Sequence, residues 1–347
     1  MKSRYLSLLI AGLTLTLSAC KKQFAEHTTA PPLEADVYVA GFIGAQSQAA
    51  YWINGSLITL TPPGSNAFAR SIAVNGNGVY VAGSMQGASG LNAILWFNGA
   101  ATVLSDPSVN ADAMSIAVSG SDVYVAGWQY DDALGHQQAL YWKNGTATLL
   151  NGGVTANSIV VSGSDVYVAG QTLGGVAAYW KNGTMTTLPE GNTANAITVV
   201  GPDVYVAGKS AVGSVLYWKN GAVTQLTDGP SNATAAGVTG IAVLGGNVYV
   251  AGGMPNGDAG LVPTLWKNTT PQMLPVPSNL SSSPSNNEAT GIAVFMADVY
   301  TAGEVNNNTT HQYASFYWKN GGTPPVQLQD DGIGATAYGI AVVQKGN

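Results

Sequence analysis

Short apolar stretches of four to six residues, rich in Val, Ile, Tyr and Trp, alternate along this chain with Gly, Asn and Ser. That is the pattern of β-strands bounded by tight turns. No window carries apolar residues at the 3.6-residue period over three turns, so no amphipathic helix is predicted. The stretches also repeat. Val-Tyr-Val-Ala-Gly, or a near copy, occurs seven times, with its tyrosine at Tyr38, Tyr80, Tyr124, Tyr167, Tyr205, Tyr249 and Tyr300. A period near 44 residues belongs to a repeat array rather than to one packed sheet.

Three further landmarks keep the same order. A segment of the type Tyr-Trp-Lys-Asn-Gly holds Trp52, Trp96, Trp142, Trp180, Trp218, Trp266 and Trp318. An Ile-x-Val strand precedes most copies of the tyrosine segment, and a Thr/Leu run follows each Trp segment. The unit therefore reads as four strands: A (Ile-x-Val), B (the Tyr segment), C (the Trp segment) and D (the Thr/Leu run). Asn-Gly stands at the C–D junction in six of seven units and suits a type I′ hairpin, whose two central residues need positive φ. The predicted fold is all-β: a seven-bladed β-propeller of four-stranded antiparallel blades. The first unit lacks strand A, and an unpaired strand A, residues 339–343, ends the chain. A ring closed by three N-terminal strands and one C-terminal strand accounts for both.

The strand order resembles kelch-type propellers, where an inner strand precedes a strand with Tyr and a terminal Gly and a Trp follows. The kelch Gly-Gly pair is reduced here to Ala-Gly except at Gly252-Gly253. The Tyr-Trp-Lys-Asn-Gly stretch also resembles the extracellular HAF-type repeat, whose core reads His-Ala-Phe-Leu-Trp-x-Asn-Gly. Both resemblances imply architecture and neither implies an activity.

Residues 1–19 read as a leader: Lys2 and Arg4, then an apolar run from Leu6 to Leu17 that is too short to span a bilayer. The run ends in Leu17-Ser18-Ala19-Cys20, and Cys20 is the single cysteine of the chain. This resembles the bacterial lipobox, which implies lipidation of Cys20. Residues 20–32 then form the lipidated cysteine and a flexible tether, and residues 33–347 the propeller. In Gram-negative lipoproteins Asp after the cysteine favours the inner membrane; Lys21 here implies the outer membrane of the cell envelope, on either side of it. Two or three acyl chains, at about 0.8 kcal/mol per buried methylene, anchor a protein firmly.

Lys2 and Arg4 leave with the leader, so 12 basic residues fall to 10 against 18 acidic ones, a net charge of −8. No basic stripe exists, which argues against a nucleic-acid partner. Only 9% of residues are charged, well below the usual proportion of about a quarter. Ser, Thr, Asn and Gly cover the surface instead. The expected partners are the membrane, through the anchor, and a glycan or envelope protein; the chain reads as a monomer.

Catalytic material is thin. The three histidines are His27, His136 and His311, with no metal-binding spacing between them, and the lone cysteine belongs to the anchor. No cofactor and no metal site is expected, although a Ca²⁺ site at Asp131, Asp132 or residues 256–258 is open. Asp131-Asp132 and Asp330-Asp331 are sequence neighbours, which point apart on a strand and make poor acid/base pairs. A polysaccharide hydrolase or lyase using Asp131, Asp132, His136 or Arg70 is the alternative to a binding protein. A purely structural assembly subunit is the third reading.

The repeated Trp and Tyr are assigned to packing between blades. The turn-flanking Lys143, Lys181, Lys219, Lys267 and Lys319 are read as solvated, and the Asp opening strand B (Asp36, Asp122, Asp165, Asp203, Asp298) as a turn residue. Candidate ligand-binding residues are those that differ between blades. Two places before the Ile of strand A the chain has Arg70, Met114, Asn157, Asn195, Thr239, Thr290 and Tyr338, between near-constant small neighbours. These should ring the channel mouth; an unconstrained exposed spot is the plainer reading. Trp128 and Tyr130, an aromatic pair outside the repeat at the start of a long B–C loop, are the second candidate, with His136.

Overall fold

The computed structural model describes residues 34–227, 237–255, 260–277, 280, 287–307, 312–322 and 324–346. The leader, Cys20, the tether, His27, His311 and residues 256–258 lie outside them. Among the described residues every regular element is a strand, and the unit Glu34–Asn347 is compact.

The strands form seven sheets of four, each an antiparallel A–B–C–D meander. Blade 3 is representative: strand A Ala111–Ser119, B Asp122–Asp131, C His136–Lys143 and D Thr146–Leu149. Blade 1 is the composite one. Its strands B, C and D are Ala35–Ile43, Gln48–Ile53 and Ser56–Thr59, and its strand A is the last strand of the chain, Ala335–Gln344. Innermost strands of successive blades touch in order, and the C-terminal one touches those of blades 2 and 7, so the ring closes.

Two features glue blade to blade. The seven repeat tryptophans are the largest fully buried side chains. Each removes roughly 150–250 Å² from water, a gross gain of about 4–6 kcal/mol. The leucine that ends a D strand packs on the Trp of the next blade: Leu150 with Trp180, Leu188 with Trp218, Leu274 with Trp318, Leu328 with Trp52. In four blades the indole N–H donates to the linker leading into the blade, as Trp218 does to the Pro189 carbonyl at 2.9 Å and Trp318 to the Pro275 carbonyl at 2.8 Å; the Trp96 and Trp266 indole nitrogens are buried without a partner.

At the C–D turn the asparagine does more than accept positive φ. Asn144 has φ 50°, and its Oδ1 accepts from the Val123 N–H of strand B at 2.8 Å while its own N–H donates to the Val123 carbonyl at 2.9 Å. The same reciprocal pair recurs in the other six blades, for example Asn182 with Val166 and Asn320 with Val299. The turn is thus sewn to the start of strand B, and Asn is the residue that can do both.

Each A–B ladder carries a register shift at the same place, which the alternating pattern did not disclose; blades 4 and 5 carry a second one nearer the start of strand A. In blade 3 Ala113 pairs with Gly127 and Ser115 with Ala126, leaving Met114 as an extra residue. That is a β-bulge. It explains the Gly that closes Val-Tyr-Val-Ala-Gly. A Cβ on Gly127 would overlap the carbonyl oxygen of Asp112, two places before the bulge; Gly170 meets Thr155 in the same way and Gly41 meets Thr336. The bend of strand A brings its backbone onto strand B, and only hydrogen fits between them.

Gly170→Ala is therefore expected to cost on the order of 3 kcal/mol, as bulk forced against fixed backbone does. Chemical denaturation checks it; an unchanged midpoint would remove the bulge–glycine coupling.

Candidate functional site

The bulge residue is the same in structural position all round the ring: Arg70, Met114, Asn157, Asn195, Thr239, Thr290 and Tyr338. A bulge re-aims the extra side chain, and here all seven line one polar cavity of about 200 Å³ at the axis of the ring. The small residues after them, such as Ser71, Ser115 and Gly240, complete its wall. The channel residues chosen from sequence variability are thus brought together, by a register shift rather than by lying at a strand entrance.

They do not all do the same work. Asn157 Nδ2 donates to the Ala194 carbonyl of the next blade at 2.9 Å, and Asn195 Nδ2 to the Val238 carbonyl at 2.8 Å. Thr239 Oγ1 donates to the Ala289 carbonyl. These three are inter-blade clasps. Ser71, Ser115 and Ser158 add a second set, accepting the Ile116, Ile159 and Ile197 N–H groups at 3.2–3.3 Å.

Arg70 is different. One terminal nitrogen lies 3.0 Å from Asp112 Oδ2, and the guanidinium carbon sits 5.0 Å from the ring centroids of both Phe68 and Tyr338. Phe42 packs edge-on against Phe68 at 5.3 Å and tilted against Tyr338 at 5.8 Å. Burial pushes the Asp112 carboxyl up from the usual range, and the Arg70 charge pulls it back. Burial likewise raises the Tyr338 phenol, against the pull of Arg70.

Trp128 does not line the cavity. It is half-buried in strand B of blade 3, opposite Asp112 on one side and Ala139 on the other, one residue beyond Gly127. It is therefore linked to Arg70 through Asp112. Tyr130, 37% exposed, stands opposite Gln137, and His136 opposite Asp131 with Nδ1 at 2.8 Å from the Gln137 carbonyl. The expected B–C loop is corrected here: Trp128, Tyr130 and His136 all lie on strands of an extended hairpin. Asp131 makes this turn, its Oδ1 accepting from the Ala133 and Leu134 N–H groups at 2.9 and 3.1 Å. Asp330 does the same for the Gly332 N–H at 3.0 Å.

The opposite face carries the A–B and C–D turns. The five turn-flanking lysines are exposed, as expected, and four of them are also paired: Lys143–Asp122, Lys181–Asp165, Lys219–Asp203 and Lys319–Asp298 each lie at 2.8 Å, whereas the blade of Lys267 has Asn247 in place of the Asp. Each ammonium also lies over the strand-B tyrosine, as Lys143 does over Tyr124 at 5.2 Å, and the turn asparagine holds the other Asp oxygen, as Asn144 holds Asp122 at 2.8 Å. Pairing lowers the Asp122, Asp165 and Asp203 carboxyls and Asp298 with them. The residues are far apart in sequence, so only the register discloses the clasp.

One carboxylate pair gave no sequence signal. Glu288 and Glu304 of blade 7 stand opposite one another in register. Glu288 fills space left by Gly237 and Gly253 of blade 6. Burial, reinforced by the charge of Glu288, pushes the Glu304 carboxyl up to about 7, against a hydrogen bond from Thr336 of the closing strand; burial also raises Glu288, against the pull of Lys209. Among the described residues no group of three or more potential metal-ligating side chains occurs.

No protein-family model and no curated protein sequence matches the chain. Among solved structures, a puromycin-hydrolyzing peptidase from Mycobacterium tuberculosis is similar at 11% identity and a TM-score of 0.54, over 86% of this chain and 53% of that one. The extracellular domain of the one-component system BT4673 from B. thetaiotaomicron matches at 15% identity and a TM-score of 0.42, over 77% of this chain and 37% of that one. The SapL1 lectin matches at 13% identity and 0.41, over 75% and 94%. The chain thus spans well under two thirds of the first and second of these proteins' chains. At such identities the likeness concerns fold alone. The class the geometry defines is a seven-bladed β-propeller closed by its two terminal segments.

The raised Glu304 sets a pH dependence. In the unfolded chain this group returns to about 4.5, so the folded state holds its proton more tightly. Its contribution is fully present below about pH 4.5, falls as pH rises towards 7 and is flat above. The total loss is at most about 3 kcal/mol at 1.36 kcal/mol per pH unit. Thermal melts from pH 4.5 to 8 should show the slope in the native chain and a shallower one in Glu304→Gln, where the raised Glu288 and Asp112 carboxyls remain; equal slopes would exclude the effect.

Proposed function

We propose that this chain is a non-catalytic, lipid-anchored envelope propeller that binds a glycan through the face carrying its D–A and B–C connections. The observation that carries the reading is the contrast between the two faces. On one, charged groups are consumed in repeated Asp–Lys–Tyr–Asn clasps. On the other, the blades offer Arg, Met, Asn, Thr and Tyr side chains around one polar cavity, backed by aromatic rings. Variable side chains on a rigid scaffold are where recognition resides. The low charge and abundant Ser, Thr and Asn suit hydrogen bonding to sugar hydroxyls. Asp131 and Asp330, engaged in turns, are poor acid/base groups, which supports a binding role over hydrolysis.

Trp128 is the one tryptophan outside the repeat, half-buried beside Asp112. Trp128→Ala is expected to weaken glycan binding by about 2 kcal/mol, the loss of a stacking anchor. Calorimetry against envelope and plant polysaccharide fragments measures it. Unchanged affinity would move the site from this face; binding to no glycan, with a protein captured by crosslinking in intact cells, would replace the glycan by a protein.

The anchor belongs to the same proposal and rests on Leu17-Ser18-Ala19-Cys20 and Lys21. Cys20→Ser is expected to move the protein from the outer-membrane fraction to the soluble one and to abolish labelling with radioactive palmitate. Retention in the membrane fraction would refute lipidation as the tether.

A further inference from the structure

Arg70 is the single cation among the residues that line the axial cavity, and no acidic side chain lines it. Its position in the fold is that of Asn157, Asn195 and Thr239, whose polar groups reach the next blade. Arg70 also reaches the next blade, at Asp112, yet a guanidinium has five N–H donors and a single carboxylate oxygen takes one of its nitrogens. Its Nε is buried with no partner, and so is Asp112 Oδ1. The pair is therefore one-pronged rather than a fork. Rings of Phe68 and Tyr338, both 5.0 Å away, restrict the group's orientation.

A guanidinium held in place, with terminal donors that the one Asp112 oxygen does not take, beside a cavity whose lining carries no carboxylate, can receive an oxyanion. Asp112 already shares its charge, so a group with no more than one negative charge suits it. A phosphate monoester carries close to two charges near neutral pH and calls for further cations, which this cavity lacks. The volume of about 200 Å³ holds on the order of six waters, at about 30 Å³ each. That admits an acidic group and the ring bearing it, and leaves the rest of a chain outside, over the aromatic residues of the mouth.

We propose that the cavity takes the carboxylate of an acidic sugar, a uronic acid, on Arg70, with Tyr338 and the unpartnered Thr290 hydroxyl as further hydrogen-bonding groups of the same wall. This deepens the glycan reading and rests on it. Met114 and the small residues of the wall supply the apolar contact. Asp112 is then a positioning residue: it holds the guanidinium and touches no ligand.

The test uses the mature protein at pH 7 with tetragalacturonate, its methyl ester, a neutral tetrasaccharide and monomeric galacturonate. Binding is read by calorimetry and by quenching of tryptophan emission, to which Trp128 contributes as the one tryptophan not fully buried. The free acid is expected to bind at least tenfold tighter than the ester, and the preference to weaken with salt. Arg70→Lys should reduce it and keep part. Arg70→Gln alone would leave Asp112 buried without a partner, so the informative variant combines it with Asp112→Asn. That double variant should melt cooperatively and bind acid and ester alike. Equal binding of acid and ester by the native protein overturns the proposal while leaving the glycan reading intact, as does a preference that survives in the double variant. Binding of the neutral sugar alone does the same. An Arg70-dependent response to monomeric galacturonate with no oligosaccharide binding would keep the carboxylate site and overturn the glycan reading. No binding of any of the four probes overturns the carboxylate proposal and counts against the glycan reading with it.

Discussion

In every blade a carbonyl oxygen of the innermost strand lies where the side chain of the second strand would begin. Phe68, Asp112, Thr155 and their counterparts supply the oxygen, and Gly83, Gly127, Gly170 and their counterparts make room for it. The close approach comes from one extra residue in strand A, and that residue is released from pairing in every blade. Seven repetitions of this local misfit create the axial cavity. The bulge thus converts a structural repeat into a ring of independent choices: the residues on either side are held by backbone contact, whereas the extra one is free to vary.

Closure and cohesion follow different rules. Hydrophobic burial holds blade to blade, through a Trp from one blade and a Leu from the one before it. Blade 1 is built from both ends of the described unit, so the same glue acts across the seam at Trp52 and Leu328. Polar groups then determine how neighbouring inner strands meet. Bonds donated by backbone amides to the Ser71, Ser115 and Ser158 hydroxyl oxygens serve blades 2 to 5. Further round, Gly240, Gly291 and Gly339 stand at the same position, where an added Cβ would press on the next strand. The ring is sevenfold in topology and unequal in its contacts.

That inequality concentrates the unusual chemistry on one side. Phe42, Phe68, Arg70, Asp112 and Tyr338 form one network across blades 1 to 3, and Glu288 and Glu304 a second in blade 7. Both contain buried polar atoms without partners, including Arg70 Nε, Asp112 Oδ1 and Glu304 Oε2. Such atoms are uncommon in a well-satisfied fold and mark places where water, a proton or a ligand completes the structure. The turn face has exposed charges, and in blades 3, 4, 5 and 7 these neutralise one another within the blade.

The strands, their number and the circular closure were legible because each rests on short-range patterning repeated seven times: alternation, Asn-Gly turns, and a unit split between the chain ends. The variable position before each Ile was legible as variable, since its neighbours barely change. Why it varies was not, because a bulge depends on which residue of strand B lies opposite, and one extra residue leaves no mark on composition. Lys143 and Asp122 looked like separate turn residues, being 21 positions apart in sequence; strand register joins them. Glu304 gave no signal in the sequence, because burial beside Glu288 is what raises its carboxyl. The sequence by itself determined the repeat, the blade and the ring, since these follow from local hydrogen bonding and alternation. Tertiary structure decided which side chains meet at the axis and which charges are left to act there, since both depend on contacts between blades.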